Sequence, residues 1–340
     1  MCVRNPSRAW LAAAVALSCL LTIPARAVSI DWATVRNGGN AADTTGYGAV
    51  NYTYMVGKYE VTIQQYTDFL NAAATSDPYG LYNPSMATDL NVAGISRSGT
   101  SGSYAYSVLN NAGNSGNRPI TYVSWFDAAR FANWLHNGQG SGSTETGAYT
   151  LNGQTSGTTP ARNPGAVVYI PTANEWYKAA FYSPLLNSGS GGYYSYATQS
   201  NTAPGNVIGS GTNQANYYAA GVGFSVTQQF TLVGTQNYLT NAGAFSSNAS
   251  YYGTYDQTGS VLEWNDITGA ASGLKQLRGG AWDRTASSAI SSAGFDTVPT
   301  NQISAYGFRL AAVPEPSTYA MALAGLACGG FSMWRRRKRA

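Results

Sequence analysis

Three helix start signals, set far apart by stretches of small polar residues, constrain this chain more than any other feature. Each signal is a capping box, in which a Ser or Thr caps the helix and the side chain three residues later reaches back to the cap's own backbone N–H. The boxes span Thr62–Gln65, Ser124–Asp127 and Thr172–Glu175. The second box is predicted to be weaker because an aspartate side chain is short for this reach. Apolar residues follow each box at helical spacing, so three amphipathic helices are predicted.

The rest of the chain favours short strands and long loops. An extended segment precedes each predicted helix: Tyr54–Val61, Ile120–Val123 and Val167–Ile170. Between them lie long stretches of Gly, Ser, Asn and Thr, notably Ser98–Asn117, Gly138–Pro164 and Asn187–Gln214. Loops of this length in a compact domain are usually functional or mobile. The sequence therefore predicts a loop-rich globular domain with a few short helices, each preceded by a short extended segment.

The first 27 residues have the layout of a secretory signal peptide. Arg4 and Arg8 give a positive start, the segment from Trp10 to Leu21 is apolar, and small residues at 25 and 27 fit a cleavage site. The alternative is a buried N-terminal helix, which is disfavoured because no amphipathic periodicity follows. We therefore expect export across the inner membrane.

The other end, residues 313–340, has a proline motif, an apolar run and a basic tail. Pro314-Glu315-Pro316 precedes a mostly apolar run from Tyr319 to Trp334, and five basic residues follow it. Sixteen residues of helix would be about 24 Å long, slightly short for a hydrocarbon core of about 30 Å. This layout resembles the PEP-CTERM sorting signal, which implies recognition by an exosortase-type processing enzyme. By that resemblance the tail is a transient anchor that is cut, leaving the body at the cell surface or outside the cell; a permanent single-span anchor is the alternative.

Charge and cysteine content change once these two ends are set aside. Residues 28–313 contain 11 Lys or Arg and 14 Asp or Glu, so the body carries a net charge of −3 although the whole chain is at +4. Such a body offers no electrostatic footprint for nucleic acid. All three cysteines, Cys2, Cys19 and Cys328, lie in the two ends, so the body is predicted to contain no disulfide.

Six ordered motifs occur within the body. They are Val56–Thr62, Pro119–Ala128, Ile170–Trp176, Gly259–Trp264, Arg278–Trp282 and Gly307–Leu310. In order and spacing they resemble the formylglycine-generating enzymes, also called sulfatase-modifying factors, over residues 54–311. The resemblance implies a C-type-lectin-like α+β fold, and it favours one domain over residues 28–312. Fold alone does not fix a function.

The reactions known in that family depend on residues that this chain lacks. Its best-known members hold copper with two neighbouring cysteines and oxidise a sulfatase cysteine to formylglycine, and related sulfoxide synthases hold iron with three histidines. Here no cysteine lies between residues 28 and 313, and the only histidine is His136. Its place near the end of the second predicted helix has a structural explanation through the helix dipole. We therefore assign no catalytic residue and expect no copper or iron.

A calcium site is the metal site that the resemblance still implies. Its ligands would be the side chains of Asp256 and Glu263 and the carbonyl oxygens of Gly259 and Val261. Closely spaced oxygen ligands of this kind suit Ca²⁺. The chain departs from the family at Ser260, where Asn is usual, and at Leu262, where Trp is frequent. The alternative is that Glu263 forms an ion pair with a nearby cation such as Arg278.

The remaining motif residues are interpreted mainly as structural. Arg278 and Arg309 are expected to be buried hydrogen-bonding hubs, and Trp125, Trp176, Trp264 and Trp282 are expected in the core. Tyrosines of the long loops are better candidates for contacting a ligand, namely Tyr193, Tyr194, Tyr217 and Tyr218.

Two functions remain open on these grounds. The first is an exported, non-catalytic, calcium-stabilised module that binds an extracellular polysaccharide or a surface protein. The second is an oxidoreductase of the formylglycine-generating type with unrecognised metal ligands, acting on protein or small thiol substrates.

Overall fold

The structure is a computed structural model that describes residues 27–267 and 273–314. Within these residues, the helices are short and few. They are α1 (Ile63–Ala73), α2 (Ser85–Thr88), α3 (Trp125–His136), α4 (Ala173–Phe181) and α5 (Leu186–Gly189), with a 3₁₀ turn at Ala286–Ser288.

Helices α1, α3 and α4 are the three predicted from the capping boxes. In each box both reciprocal contacts are present. The aspartate of the second box does reach back, because Asp127 Oδ2 accepts the backbone N–H of Ser124 at 2.8 Å. The Ser124 hydroxyl donates to the same oxygen at 2.7 Å, which adds a third contact to this box.

The strands are also short and form two four-stranded sheets and three small hairpins. In chain order they are β1 (Trp32–Val35), β2 (Tyr54–Gly57), β3 (Ile95–Ser98), β4 (Ala105–Val108), β5 (Val168–Tyr169), β6 (Tyr182–Ser183), β7 (Gly192–Tyr193), β8 (Tyr218–Ala219), β9 (Gly223–Phe224), β10 (Leu262–Asn265), β11 (Lys275–Arg278), β12 (Phe295–Thr297), β13 (Tyr306–Gly307) and β14 (Ala311–Ala312). The α+β fold class predicted from the sequence is confirmed.

The topology joins the two ends of the domain. The first sheet has the order β1-β2-β14-β5 with antiparallel neighbours, so the last strand lies between two early ones. The second sheet has the order β12-β11-β10-β13, in which β10 and β13 run parallel. The segment from β13 to β14 therefore passes from one sheet to the other.

Two of the three predicted extended segments contain a strand. The strand in Tyr54–Val61 ends at Gly57, and Val167–Ile170 contains β5. The prediction for Ile120–Val123 is wrong, because Tyr122 has a φ of 59° and interrupts an extended backbone. The Ile120 N–H instead donates to the carbonyl of Val61 at 2.9 Å, which ties this segment to the start of α1.

A group of aromatic side chains in mutual contact lies within the core. Phe69 of α1 meets Phe131 and Trp134 of α3 with ring centroids 5.2 and 5.3 Å apart, and Phe308 packs on Phe131 at 5.5 Å. The four tryptophans predicted in the core are at most 4% exposed. Because so many aromatic side chains meet in one cluster, a few short elements suffice to hold long loops.

Two glycines allow close backbone approach beside the second sheet. Gly259 has a φ of 86°, and a Cβ there would lie 2.2 Å from the carbonyl oxygen of Asn216. Gly280 has a φ of 76°, and its Cβ would lie 2.8 Å from Ala289 Cβ. Neither position could hold another residue without moving the backbone.

Within residues 27–267 and 273–314, no helix has the length and apolar character needed to span a membrane. Residues 1–26 of the predicted signal peptide lie outside the described residues, and so do Glu315, Pro316 and the apolar run after them.

Candidate functional site

A buried charge centre lies where the chain passes between the two sheets. It consists of the guanidinium of Arg309 and the carboxyl groups of Glu60, Asp256 and Glu263. Arg309 follows β13 and precedes β14, while Glu263 is on β10. Arg309 Nε and Nη2 donate to the two carboxylate oxygens of Glu263 at 2.6 and 2.7 Å, and both side chains are fully buried. This bidentate pair joins the segment between β13 and β14 to β10, a central strand of the second sheet.

The other hydrogen bonds of Arg309 connect two further segments to this centre, and Glu263 connects a third. Nη1 donates to the carbonyl of Gly57 at 2.9 Å, and Nη2 donates to that of Tyr255 at 2.9 Å. Trp176 Nε1 of α4 donates to Glu263 Oε2 at 2.8 Å. The prediction that Arg309 is a buried hydrogen-bonding hub is confirmed.

Negative charge is in excess in this centre. Both carboxyl oxygens of Glu60 are buried and without a hydrogen-bond partner, and the nearest guanidinium nitrogen of Arg309 is 3.9 Å away. Burial, followed by the negative charge of Asp256, raises the pKa of Glu60 well above its usual value. Burial also raises the pKa of Asp256 to about 6, against the hydrogen bond from Gly243 and the charge of Arg309. Three carboxyl groups thus face one cation.

Arg278, the predicted alternative partner of Glu263, is engaged elsewhere. The two residues lie directly opposite each other on β10 and β11, but no hydrogen bond or ion pair joins their side chains. The Arg278 guanidinium donates to the carbonyls of Ser291 and Ala293 at 3.1 and 2.9 Å and stacks over Tyr47 at 4.2 Å. An ion pair at Glu263 was therefore the right kind of contact, with Arg309 rather than Arg278 as the partner.

The surface carries a polar cleft that the sequence did not reveal. Its volume is about 610 Å³, and it lies between the loop before β2 and the first turn of α4. Tyr52 and Arg162 line it, and Glu175 lies beneath them. None of the six motifs includes Tyr52 or Arg162, and Arg162 lies in the predicted loop Gly138–Pro164.

The single histidine and the four loop tyrosines differ in their exposure and in their contacts with the rest of the fold. His136 Nδ1 accepts the backbone N–H of Val167 at 3.1 Å, a structural contact at the end of α3. Tyr217 is 6% exposed, so the prediction that it contacts a ligand is wrong. Tyr218 packs on Phe224 with ring centroids 4.9 Å apart. Tyr193 and Tyr194 remain half-exposed and line a second cleft of about 770 Å³.

Comparison with known families matches this chain twice. Residues 34–313 match the sulfatase-modifying factor enzyme 1-like domain. The chain belongs to that family. Residues 312–338 match the PEP-CTERM protein-sorting motif, which implies an exported protein that is sorted at the membrane through an exosortase. No curated protein matches the sequence.

Solved structures are similar to the sulfatase-modifying-factor domain over most of its length. CarF has 22% sequence identity, with 84% of this chain and 99% of CarF covered and a TM-score of 0.53. Treponema denticola variable protein 1 has 18% identity, 85% and 97% coverage and a TM-score of 0.47. PvdO from Pseudomonas aeruginosa has 14% identity, 83% and 92% coverage and a TM-score of 0.42. At these identities the likeness to CarF shows the fold alone, and it agrees with the predicted C-type-lectin-like architecture.

The calcium site predicted from the sequence at Asp256, Gly259, Val261 and Glu263 shares two of its residues with the charge centre. Glu263 accepts three hydrogen bonds, two from Arg309 and one from Trp176, which leaves roughly one of its four lone-pair positions, on Oε1. Asp256 Oδ2 accepts the N–H of Gly243 at 2.6 Å. Among the described residues, no turn or loop amide donates to the carbonyls of Gly259 and Val261. Acceptor positions therefore remain on these oxygens, and a calcium ion held by them would share Glu263 with Arg309.

No group of three or more His, Cys, Asp or Glu side chains in residues 27–267 and 273–314 is placed to hold a metal ion. The predicted calcium site has two carboxylates and two carbonyl oxygens, so that finding does not test it. The calcium site stays a prediction.

Proposed function

We propose that the exported body is a non-catalytic binding module of the sulfatase-modifying-factor family. The observation that carries this proposal is the use of the motif side chains inside the scaffold. Arg309 and Trp176 both donate hydrogen bonds to Glu263 in the buried centre, and Arg278 donates to loop carbonyls. The residues that give the family its sequence signature are therefore engaged in holding the fold.

The sequence adds a second line of support. The thiols that bind copper in the best-known family members have no counterpart between residues 28 and 313. One imidazole, that of His136, does not make a three-histidine iron site, and its Nδ1 is bonded to the backbone. The oxidoreductase alternative has only family membership in its favour.

Localisation follows the sorting motif. In this proposal an exosortase-type enzyme cuts near Pro314-Glu315-Pro316 and leaves the body at the cell surface or in the extracellular matrix. The body's net charge of −3 and its polar loops suit an uncharged or weakly charged partner such as a polysaccharide or a surface protein.

Calcium forms the second part of the proposal. The excess of carboxylates over cations in the charge centre supports it, because a divalent cation near Asp256 and Glu263 would offset the buried negative charge. When bound, calcium would stabilise the loop that carries Asp256 and Gly259.

The test of the catalytic question uses the full-length chain purified in mild detergent without chelator. It is incubated under air with a cysteine peptide that carries a sulfatase-type motif, and the peptide mass is followed. We expect no conversion of cysteine to formylglycine above the protein-free control, and no copper or iron near one equivalent. Turnover together with stoichiometric copper or iron would overturn the proposal.

A further inference from the structure

The cleft of about 610 Å³ beside α4 combines a fixed aromatic surface with hydrogen-bond donors that the protein does not use. Its volume is within the range of small-molecule and oligosaccharide sites. The residues that matter here are Asn51, Tyr52, Arg162 and Asn174, all of which line it. The inference below rests on the proposed binding function and names the site and the class of ligand.

Tyr52 is exposed and yet held in place. The residue is 44% exposed, and its hydroxyl donates to Glu175 Oε1 at 2.9 Å. Glu175 is itself fully buried and accepts the Tyr169 hydroxyl at 2.9 Å and the Thr172 N–H at 2.8 Å. The ring also meets Tyr54 edge-on, with centroids 6.1 Å apart. Such a ring offers a stacking surface without losing side-chain freedom when a ligand binds.

Arg162 faces the same cleft with a donor to spare. Its guanidinium stacks on the ring of Tyr169 at 3.9 Å, and about a third of the side chain is exposed. Nη1 is buried and has no hydrogen-bond partner, and the nearest oxygen of Glu175 is 3.9 Å away. Nε and Nη2 are not buried and make no hydrogen bond with a described residue, so they are the nitrogens that can donate to a ligand in the cleft.

Two amides complete the set of donors. The side chain of Asn51 is exposed and makes no hydrogen bond with any described residue. Asn174 Oδ1 accepts the Gly48 N–H at 3.0 Å, which fixes the orientation of the amide and leaves Nδ2 as a donor. Asn40, by contrast, uses its amide to bond Gly48 O and Tyr193 Oη and holds the loop.

Charge at the cleft is balanced. Arg162 lies near Glu175, and Asp266 forms an ion pair with Lys275. A ligand is therefore selected by hydrogen bonding and by stacking on Tyr52 rather than by net charge. Polyhydroxylated chains without charge meet these demands, because their C–H faces stack on aromatic rings and their oxygens accept from amides and guanidinium groups.

We propose that this cleft binds a segment of a neutral polysaccharide, with Tyr52 stacked against a sugar ring and Asn51, Arg162 and Asn174 donating to its oxygens. The full-length chain in mild detergent is tested by affinity gel electrophoresis against dextran, laminarin, galactomannan and xyloglucan, with alginate as a charged polymer. We expect at least one neutral polymer to retard migration and alginate not to.

The variants assign that binding to the cleft. Tyr52→Ala is expected to raise the Kd for the polymer about tenfold, because the variant loses the stacking contact of a ring that is already held in position. Arg162→Gln and Asn51→Ala are expected to weaken it several-fold and leave the melting temperature within about 2 °C. Tyr251→Ala is the matched control, since that tyrosine is 37% exposed and lines none of the clefts described above.

Retardation by a neutral polymer that is lost in the cleft variants and kept in Tyr251→Ala supports the site. If Tyr52→Ala fails to fold, Arg162→Gln and Asn51→Ala decide. Retardation by no neutral polymer, by alginate only, or equally in cleft and control variants overturns the inference. Any of these results with the cysteine peptide unoxidised leaves the non-catalytic proposal standing, whereas oxidation of the peptide defeats that proposal whatever the polymers do.

Discussion

The buried charge centre and the surface cleft use the same residue types for opposite purposes. Each contains an arginine, a fully buried glutamate and an aromatic side chain that donates to that glutamate. In the centre, Arg309 is fully buried and its nitrogens bond Glu263 and backbone carbonyls. At the cleft, Arg162 is a third exposed and keeps one nitrogen unpaired. We take the hydrogen-bonded arginine of the centre as a structural residue. The arginine with an unpaired nitrogen beside an exposed tyrosine ring marks a candidate binding surface.

Substitution of the arginine in each region is expected to give the largest difference in the free energy of unfolding. Arg309→Met is expected to lower the free energy of unfolding by about 3 to 5 kcal/mol, because it leaves Glu263 buried without its cation. Arg162→Met is expected to change it by less than about 1 kcal/mol, since that pair is long and partly exposed. Urea denaturation monitored by tryptophan fluorescence measures both.

The double variant Glu263→Gln/Arg309→Met sharpens this contrast. Removing both partners is expected to cost less than the sum of the two single changes. Equal losses in the free energy of unfolding for Arg309→Met and Arg162→Met would show that the deeper burial of Arg309 does not make it more important for stability.

The effect of calcium on the melting temperature tests whether the charge centre binds a cation in addition to Arg309. At a dissociation constant of about 10 μM, 1 mM Ca²⁺ would stabilise the fold by about 2.7 kcal/mol, seen as a rise of a few degrees in melting temperature over a chelator control. Asp256→Ala, which removes the side-chain oxygen, is expected to remove most of that rise while the Glu263–Arg309 pair stays in place. An unchanged melting temperature in the wild type would mean that Arg309 alone serves as the cation.

The pH dependence of stability tests the unpaired carboxyl of Glu60. Its pKa is raised by burial, so the folded chain holds a proton that the unfolded chain has lost. Its contribution to stability is therefore complete below the unfolded pKa and is lost as the pH rises towards the folded pKa. Glu60→Gln is expected to gain about 1 kcal/mol or more over the wild type at pH 8 and little at pH 4.

Denaturation curves of wild type and Glu60→Gln at a series of pH values measure this difference. A gap between the two proteins that does not change with pH would rule out titration of Glu60.

The smallest effect is expected at the cleft tyrosine. Tyr52→Phe removes the hydroxyl that donates to Glu175 and should lower the free energy of unfolding by about 1 kcal/mol or less, since Glu175 keeps its bonds to Tyr169 and Thr172. Tyr251→Phe, whose hydroxyl makes no hydrogen bond with the described residues, is the control and should be neutral. Thermal denaturation of the two variants measures the difference. A loss of much more than about 1 kcal/mol in Tyr52→Phe would show that Tyr52 mainly stabilises the fold.

Local signals in the sequence predicted the parts of the fold that depend on neighbouring residues. The capping boxes at Thr62, Ser124 and Thr172 gave three helices, because a cap and its helix lie within four residues. The four tryptophans were correctly expected in the core. The segment 120–123 was not predicted correctly, since the positive φ of Tyr122 comes from contacts with distant segments, such as that of its N–H with the carbonyl of Ile303.

The candidate sites were predictable only in part. Glu263 was expected to meet either calcium or a cation, and the motif containing Arg309 was recognised, but nothing in the sequence linked the two, which are 46 residues apart. The cleft was missed because Tyr52 and Glu175 are 123 residues apart and Tyr52 belongs to no motif.

By itself the sequence determined the family, the sorting motif, the three capped helices and the lack of cysteine in the body, since each depends on residue identity or on short-range spacing. The tertiary structure alone decided which arginine faces Glu263, that Tyr217 is buried, and that Tyr52 and Arg162 share a cleft. Those outcomes depend on which loops pack together, and in a chain with short strands and long loops the packing is set by long-range hydrogen bonds and aromatic contacts rather than by local periodicity.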